Sequence, residues 1–306
     1  MPRQIGGFRA QIEYLPVAAL LRLFAAMPLQ RALQVGASLG SVVARGDLGN
    51  RPIALKNLEI AFPEMDSEAR SKILLAMYRN WGRVLAEWPH AGKLNRANIE
   101  NYVTYDGIEN LEHALKLAER HGVLVLTAHY GNFELLPLAH SMYGYPLAMV
   151  HRPLRNPFID QQIRRVRTSF GAEIVERKQA GLSVVKYLRQ KWHVAAALDL
   201  DVRNGVFVDF FGTNACTSDA LARIAKATRA PVVPAFMVRE GESARHRITV
   251  LPAIEMVSTR DREADIRENT QRMTATIEMM IRRHPEHWNW IHRRWKTRPP
   301  GEARFY

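Results

Sequence analysis

From Tyr102 onward, short apolar runs alternate with longer stretches whose apolar residues recur every three or four positions, and this restricts the chain to a sheet with helices packed on it. The runs predict strands near Tyr102–Tyr105, Val123–Ala128, Leu147–His151, Glu173–Val175, Val194–Asp199, Val232–Val238 and Arg247–Leu251. Helices are predicted between them, at Ile108–Arg120, Phe133–Tyr143, Pro157–Phe170, Ala180–Lys191, Ser218–Ala227 and Arg262–Arg283. The expected fold class is therefore α/β, with a largely parallel central sheet flanked by helices and room for an antiparallel edge. A continuous run such as Val123–Leu126, without polar alternation, belongs to a strand covered on both faces.

Upstream the chain reads as helical, and from Tyr14 to Val43 it is markedly apolar. Arg22 and Arg31 interrupt that stretch, and Pro16 and Pro28 bend it. An arginine at the bilayer centre costs on the order of 2.5–3.5 kcal/mol, which argues against a clean spanning helix. Two helices, Tyr14–Met27 and Leu29–Ala44, lying in a membrane interface are expected; two helices packed on the core are the alternative. Residues 1–50 are accordingly read as an N-terminal membrane-associating segment and 51–306 as the main domain. Further helices are predicted at Pro52–Ile60 and Ser67–Pro89, the second with Ser67 as N-cap and a core-facing stripe from Ile73 to Trp88. The tail Trp288–Arg298 interleaves tryptophans with histidine, lysine and arginine, a pattern suited to a membrane interface, to stacking on nucleobases or to a surface helix.

A formal net charge of +13 implies attraction to polyanions: anionic membranes, phosphorylated substrates, an acidic carrier protein or nucleic acid. No helix-turn-helix, zinc-finger or RNA-binding signature accompanies it, and no nucleic-acid partner is expected. Cys216 is the single cysteine, so the chain forms no internal disulfide, and no activating neighbours mark it as a nucleophile.

Chemistry is expected where the run Leu124–Leu126 stops and His129 is followed five residues later by Glu134. His129 then lies past the carboxyl end of a buried strand and Glu134 in the first turn of the next helix, the region where open α/β sheets form their crevice. With 11 histidines and 30 acidic residues in 306, roughly one such pair arises by chance, so the spacing alone does not separate a catalytic pair from a loop histidine beside a helix-capping acid. Asp199 and Asp201 end another predicted strand and face the same crevice; they are read as partners of arginines or backbone, and no further ligand cluster supports a metal site. Arg164 and Arg165 read as a solvated basic face.

Several blocks in order, namely Thr127-Ala128-His129-Tyr130-Gly131-Asn132-Phe133-Glu134, His151-Arg152-Pro153, Asp199-Leu200-Asp201, Gly205 to Gly212, Pro231 to Pro234 and Trp290 to Lys296, resemble the late (lauroyl and myristoyl) acyltransferases of lipid A biosynthesis over roughly residues 15–300. The resemblance implies a membrane-associated O-acyltransferase at the cytoplasmic face of the inner membrane. It would move a fatty acyl group from an acyl carrier protein or coenzyme A thioester, without a cofactor, to a hydroxyl of a lipid A precursor. It further implies that His129 is the base and Glu134 the acid that orients the ring and stabilises the imidazolium. Asn132, Arg152, Arg167, Arg177, Asp199 and Asp201 are the candidate substrate-binding residues, the arginines as a grip on phosphate. Asp209 departs from the proline usual in the lipid A branch and looks closer to the related phosphatidylinositol mannoside acyltransferases. Another glycolipid or a lysophospholipid is therefore an alternative acceptor, and hydrolysis by the same pair an alternative reaction. The apolar Phe207–Gly212 block is expected near an acyl chain.

Overall fold

Residues 6–119, 121–176 and 180–306 are described by a computed structural model. Seven strands form one sheet: β1 (Val103–Asp106), β2 (Leu124–Thr127), β3 (Leu147–His151), β4 (Glu173–Glu176), β5 (His193–Ala197), β8 (Val232–Arg239) and β9 (His246–Val250), in the order β1-β9-β8-β2-β5-β3-β4. These are the seven predicted strands. All neighbours run parallel except β8 and β9. β2 shows why an unbroken apolar run becomes a central strand: Leu124 and Leu126 enter one core, Val123 and Val125 the other. The first core is closed by α3 (Arg51–Ala61), α4 (Ser67–Glu87), α8 (Ala180–Arg189), α9 (Ala220–Thr228) and α10 (Arg262–Arg283). The second is closed by α5 (Ile108–Ala118), α6 (Leu135–Met142) and the edge of α7 (Pro157–Thr168).

Two parts of the chain take a form that no local pattern announces. The Gly205–Gly212 block, expected near an acyl chain, forms a hairpin, β6 (Val206–Phe210) paired with β7 (Thr213–Thr217), whose Phe210 and Phe211 are buried against Trp288, Trp290 and Trp295. Asp209 accepts from the Gly212 amide and so closes the turn. The tail is neither a surface helix nor an exposed aromatic belt: Trp288, Trp290, Arg294 and Trp295 are fully buried. The Arg294 guanidinium donates to the Cys216 carbonyl and the Thr217 hydroxyl and lies over the Phe210 ring. Partners across the fold, invisible in a local window, decide this burial.

Among the described residues no helix is long and apolar enough to cross a membrane. α1 (Gly7–Ala26) and α2 (Leu29–Gly46) stand where the N-terminal helices are predicted. α2 is packed on α4 at van der Waals limit, because Gly36, Gly40 and Gly82 let the two backbones meet: a Cβ at Gly36 would strike the Gly82 carbonyl, and one at Gly40 the Tyr78 carbonyl. α1 rests on α7 through the Asn156 side chain, which donates to the Ala10 carbonyl, and through the stacked rings of Tyr14 and Phe158. The N-cap of α4 is Asp66, accepting from the Ala69 amide, rather than Ser67.

Candidate active site

The register of β2 on β5 pairs Thr127 with Ala197, and His129 and Asp199 each follow two residues later. Two adjacent parallel strands thus deliver an imidazole and a carboxylate to the same place. Asp199 Oδ1 lies 2.9 Å from His129 Nδ1, while Oδ2 accepts from the His129 amide at 3.0 Å and from Trp288 Nε1 at 2.9 Å. With the carboxylate on Nδ1, that nitrogen carries the proton, and Nε2 is left as the basic lone pair of a ring that remains 28% exposed. The edge of Phe133 packs against the imidazole. Gly131 shapes the loop: its φ is +58°, and a Cβ there would run into the Met237 carbonyl.

Glu134 does not orient the ring, as the sequence reading had it. It sits at the N-cap position of α6, one residue outside the helix, and its two oxygens take a bidentate pair of hydrogen bonds from Arg167 at 2.7 Å each. Arg167 also donates to His151 Nδ1 at 2.8 Å, which leaves the His151 Nε2–H to donate to Asp160 at 2.9 Å. Burial of His129 works against a positive charge, but the Asp199 carboxylate, its hydrogen bond and the charge of Glu134 outweigh it; Arg167 opposes them, and the net pKa is above the ordinary histidine value. Burial would raise the Asp199 carboxyl, yet His129 and the three hydrogen bonds hold it well below the usual carboxylate range.

The remaining predicted residues are scattered. Asn132 is buried, its amide donating to Glu87 and its oxygen accepting from the Leu135 amide at the start of α6, so it supports the loop. Asp201 accepts twice from Thr297 and its amide donates to His292, tying the tail down. Arg152 is exposed just past β3. Arg177 lies outside the described residues. Cys216 is buried, which pushes its thiol up and away from nucleophilic use. Trp288 and the pairing of Asp199 with His129 were not legible in the sequence, because the equal offset of two residues past the ends of β2 and β5 appears only once the strand register is known. Beside Glu134 opens a cavity of about 190 Å³ walled by Met27, Val84, Leu94, Leu135, Leu138 and Val166.

An imidazole held by a buried acid at the strand ends of an α/β sheet, with an apolar cavity beside the neighbouring Glu134, has the means to activate a hydroxyl or water toward an apolar substrate. Residues 8–297 match the model of the bacterial lipid A biosynthesis acyltransferases, and the chain belongs to that family of O-acyltransferases. It is 28% identical over 272 residues to the lipid A biosynthesis myristoyltransferase of Escherichia coli (strain K12), covering 88% of this chain and 82% of that one. It is also 28% identical to the palmitoleoyltransferase of that organism over 291 residues (94% and 92%), and to its lauroyltransferase over 285 residues (92% and 90%).

Proposed function

We propose that this chain transfers a fatty acyl group from a thioester to a hydroxyl of a lipid A precursor at the cytoplasmic face of the inner membrane, with His129 Nε2 as the base. The observation that carries the reading is the Asp199–His129 arrangement inside a family match over residues 8–297. Nε2 removes the acceptor hydroxyl's proton as its oxygen attacks the thioester carbonyl, Asp199 stabilises the imidazolium, and on collapse of the tetrahedral intermediate the carbon–sulfur bond breaks and the imidazolium returns its proton to the sulfur, so that a thiol leaves. An already activated thioester needs no acyl-enzyme. The acyl chain lies in the cavity beside Glu134, whose pairing with Arg167 keeps a balanced ion pair near the ring. Arg152 and Arg177 attract phosphates of the acceptor or of the donor's pantetheine arm, while Arg167 is taken up by Glu134 and His151. Equal identity to relatives named for three different acyl groups leaves the chain length to that cavity.

Membrane contact rests on α1. Its Phe8, Ile12, Leu15 and Leu23 are exposed on one helical face, Phe8 to 79% and Leu15 to 64%, while the other face packs inward. Because α1 rests on α7, which carries Arg167, a bilayer against this stripe lies close to the site.

The test incubates detergent-solubilised protein with acyl carrier protein or coenzyme A thioesters, with and without a lipid A precursor, another glycolipid and a lysophospholipid. Acylated lipid A precursor, lost by roughly 100-fold or more in His129→Ala, is expected. Free fatty acid released without any acceptor, or product only with a different lipid, would overturn the reading.

A further inference from the structure

Behind the catalytic loop, α10 ends at His284 and the chain turns through Pro285–His287, a single 3-10 turn. We propose that His284, Glu286 and His287 form a binding site for a divalent first-row transition-metal ion of the kind imidazole prefers, such as zinc, nickel or cobalt. One ligand atom from each residue falls within 4.8 Å of the others. Glu286 Oε1 stands 3.8 Å from His284 Nδ1 and 4.0 Å from His287 Nε2, too far for hydrogen bonds. Ligands at about 2.0–2.1 Å from a tetrahedral ion stand about 3.3 Å apart, so modest side-chain rotation closes the set.

The His287 ring supplies the second reason. Its side chain is only 6% exposed, its Nδ1 is buried without a hydrogen-bond partner, and its Nε2 faces the Glu286 carboxylate at that unbonded distance. A buried imidazole with neither ring nitrogen hydrogen-bonded is uncommon; coordination through Nε2 would engage that nitrogen and leave the ring proton on Nδ1. Arg239 and His246 bring positive charge to the neighbourhood of the ring, which makes this an exchangeable site rather than a structural cage.

The turn is also held in place before any ion arrives. The His287 amide donates to His284, Trp290 Nε1 donates to the Pro285 carbonyl at 2.7 Å, and the Tyr130 ring packs edge-on against His287. The His287 carbonyl accepts from the Gly131 amide at 2.9 Å, and the next residue, Trp288, holds Asp199. An ion here would stiffen the segment that backs His129. The binding claim itself does not depend on the acyl-transfer reading.

Untagged protein stripped by chelator is titrated with Zn²⁺ by calorimetry and with Co²⁺ by visible absorption. One ion per chain is expected, with the absorption of a low-coordinate cobalt–imidazole centre. His284→Ala and Glu286→Gln, both on exposed side chains and checked for folding by circular dichroism, should each weaken binding by roughly 10- to 100-fold. Since the chain has 11 histidines, binding that persists unchanged in both variants means a different site and overturns the proposal, as does no binding by the wild type.

Discussion

Asp199 governs what His129 can do. Its carboxylate fixes the ring nitrogen, accepts the backbone amide of the same residue and is itself held by Trp288, so the tautomer with a free Nε2 is built in. A base works in its neutral form, and His129 has a pKa above the ordinary histidine value; activity should therefore rise with pH through an acid limb above about 6.5. Asp199→Asn removes the charge that raises the pKa, so the limb should move to lower pH while the plateau falls by roughly 100-fold or more. Rate against pH with saturating acceptor reads both. An acid limb that stays in place would mean that Asp199 does not set the titration of His129. Glu134 acts at longer range, by charge and through Arg167, and its neighbourhood in sequence misrepresents its neighbourhood in space.

At the scale of elements, the loop is carried by an ion network that ties α4 to β8 and β9. Glu87 accepts from Arg239, from His246 at 2.9 Å and from Asn132 at 2.7 Å, and Asn132 in turn receives the first amide of α6. Burial works against the Glu87 charge, but His246 and Arg239 outweigh it and hold the carboxyl at about 2, below its unfolded value of 4.5. A depressed carboxyl stabilises the fold above its unfolded pKa, and that contribution is lost as pH falls through the folded one. Glu87→Gln should thus cost about 3–5 kcal/mol in urea unfolding at pH 7, and the gap to wild type should narrow from about pH 4.5 toward pH 2. A gap independent of pH would count against this account. The elements also show what a sequence discloses. Seven strands were legible because a strand buried on both faces must be apolar throughout, as β2 is. The β6–β7 hairpin and the tail were not, because Phe210, Trp288 and Trp295 are buried by each other and Arg294 by partners 77 and 78 residues away, none of which a local pattern contains. Likewise Asp199 is 70 residues from His129 and meets it only through the β2–β5 register.

For the whole molecule, the N-terminal helices divide two tasks that the sequence reading had joined. α2 is part of the packed structure through its glycines, whereas α1 is apolar on the side that packs and on the side that does not. With a net charge of +13, anionic bilayers should draw the protein in and the α1 stripe should hold it. Phe8→Glu with Leu15→Glu is expected to abolish sedimentation with anionic vesicles while leaving the melting temperature close to wild type, since both side chains are exposed. Sedimentation equal to wild type at the same salt concentration would place the membrane contact elsewhere.

The buried tail has a consequence for how the enzyme comes into being. His129, Glu134 and Asp199 have all been synthesised by the time two thirds of the chain exists, yet the third hydrogen bond to Asp199 comes from Trp288, and Asn57 anchors the carbonyls of Trp290 and His292 more than two hundred residues away. A growing chain that has not yet produced residue 288 holds His129 and Asp199 without the clasp that aligns them. Assembly of the site is thereby made a late event in biosynthesis, and a chain broken off before the tryptophans would be inert, however complete its sheet.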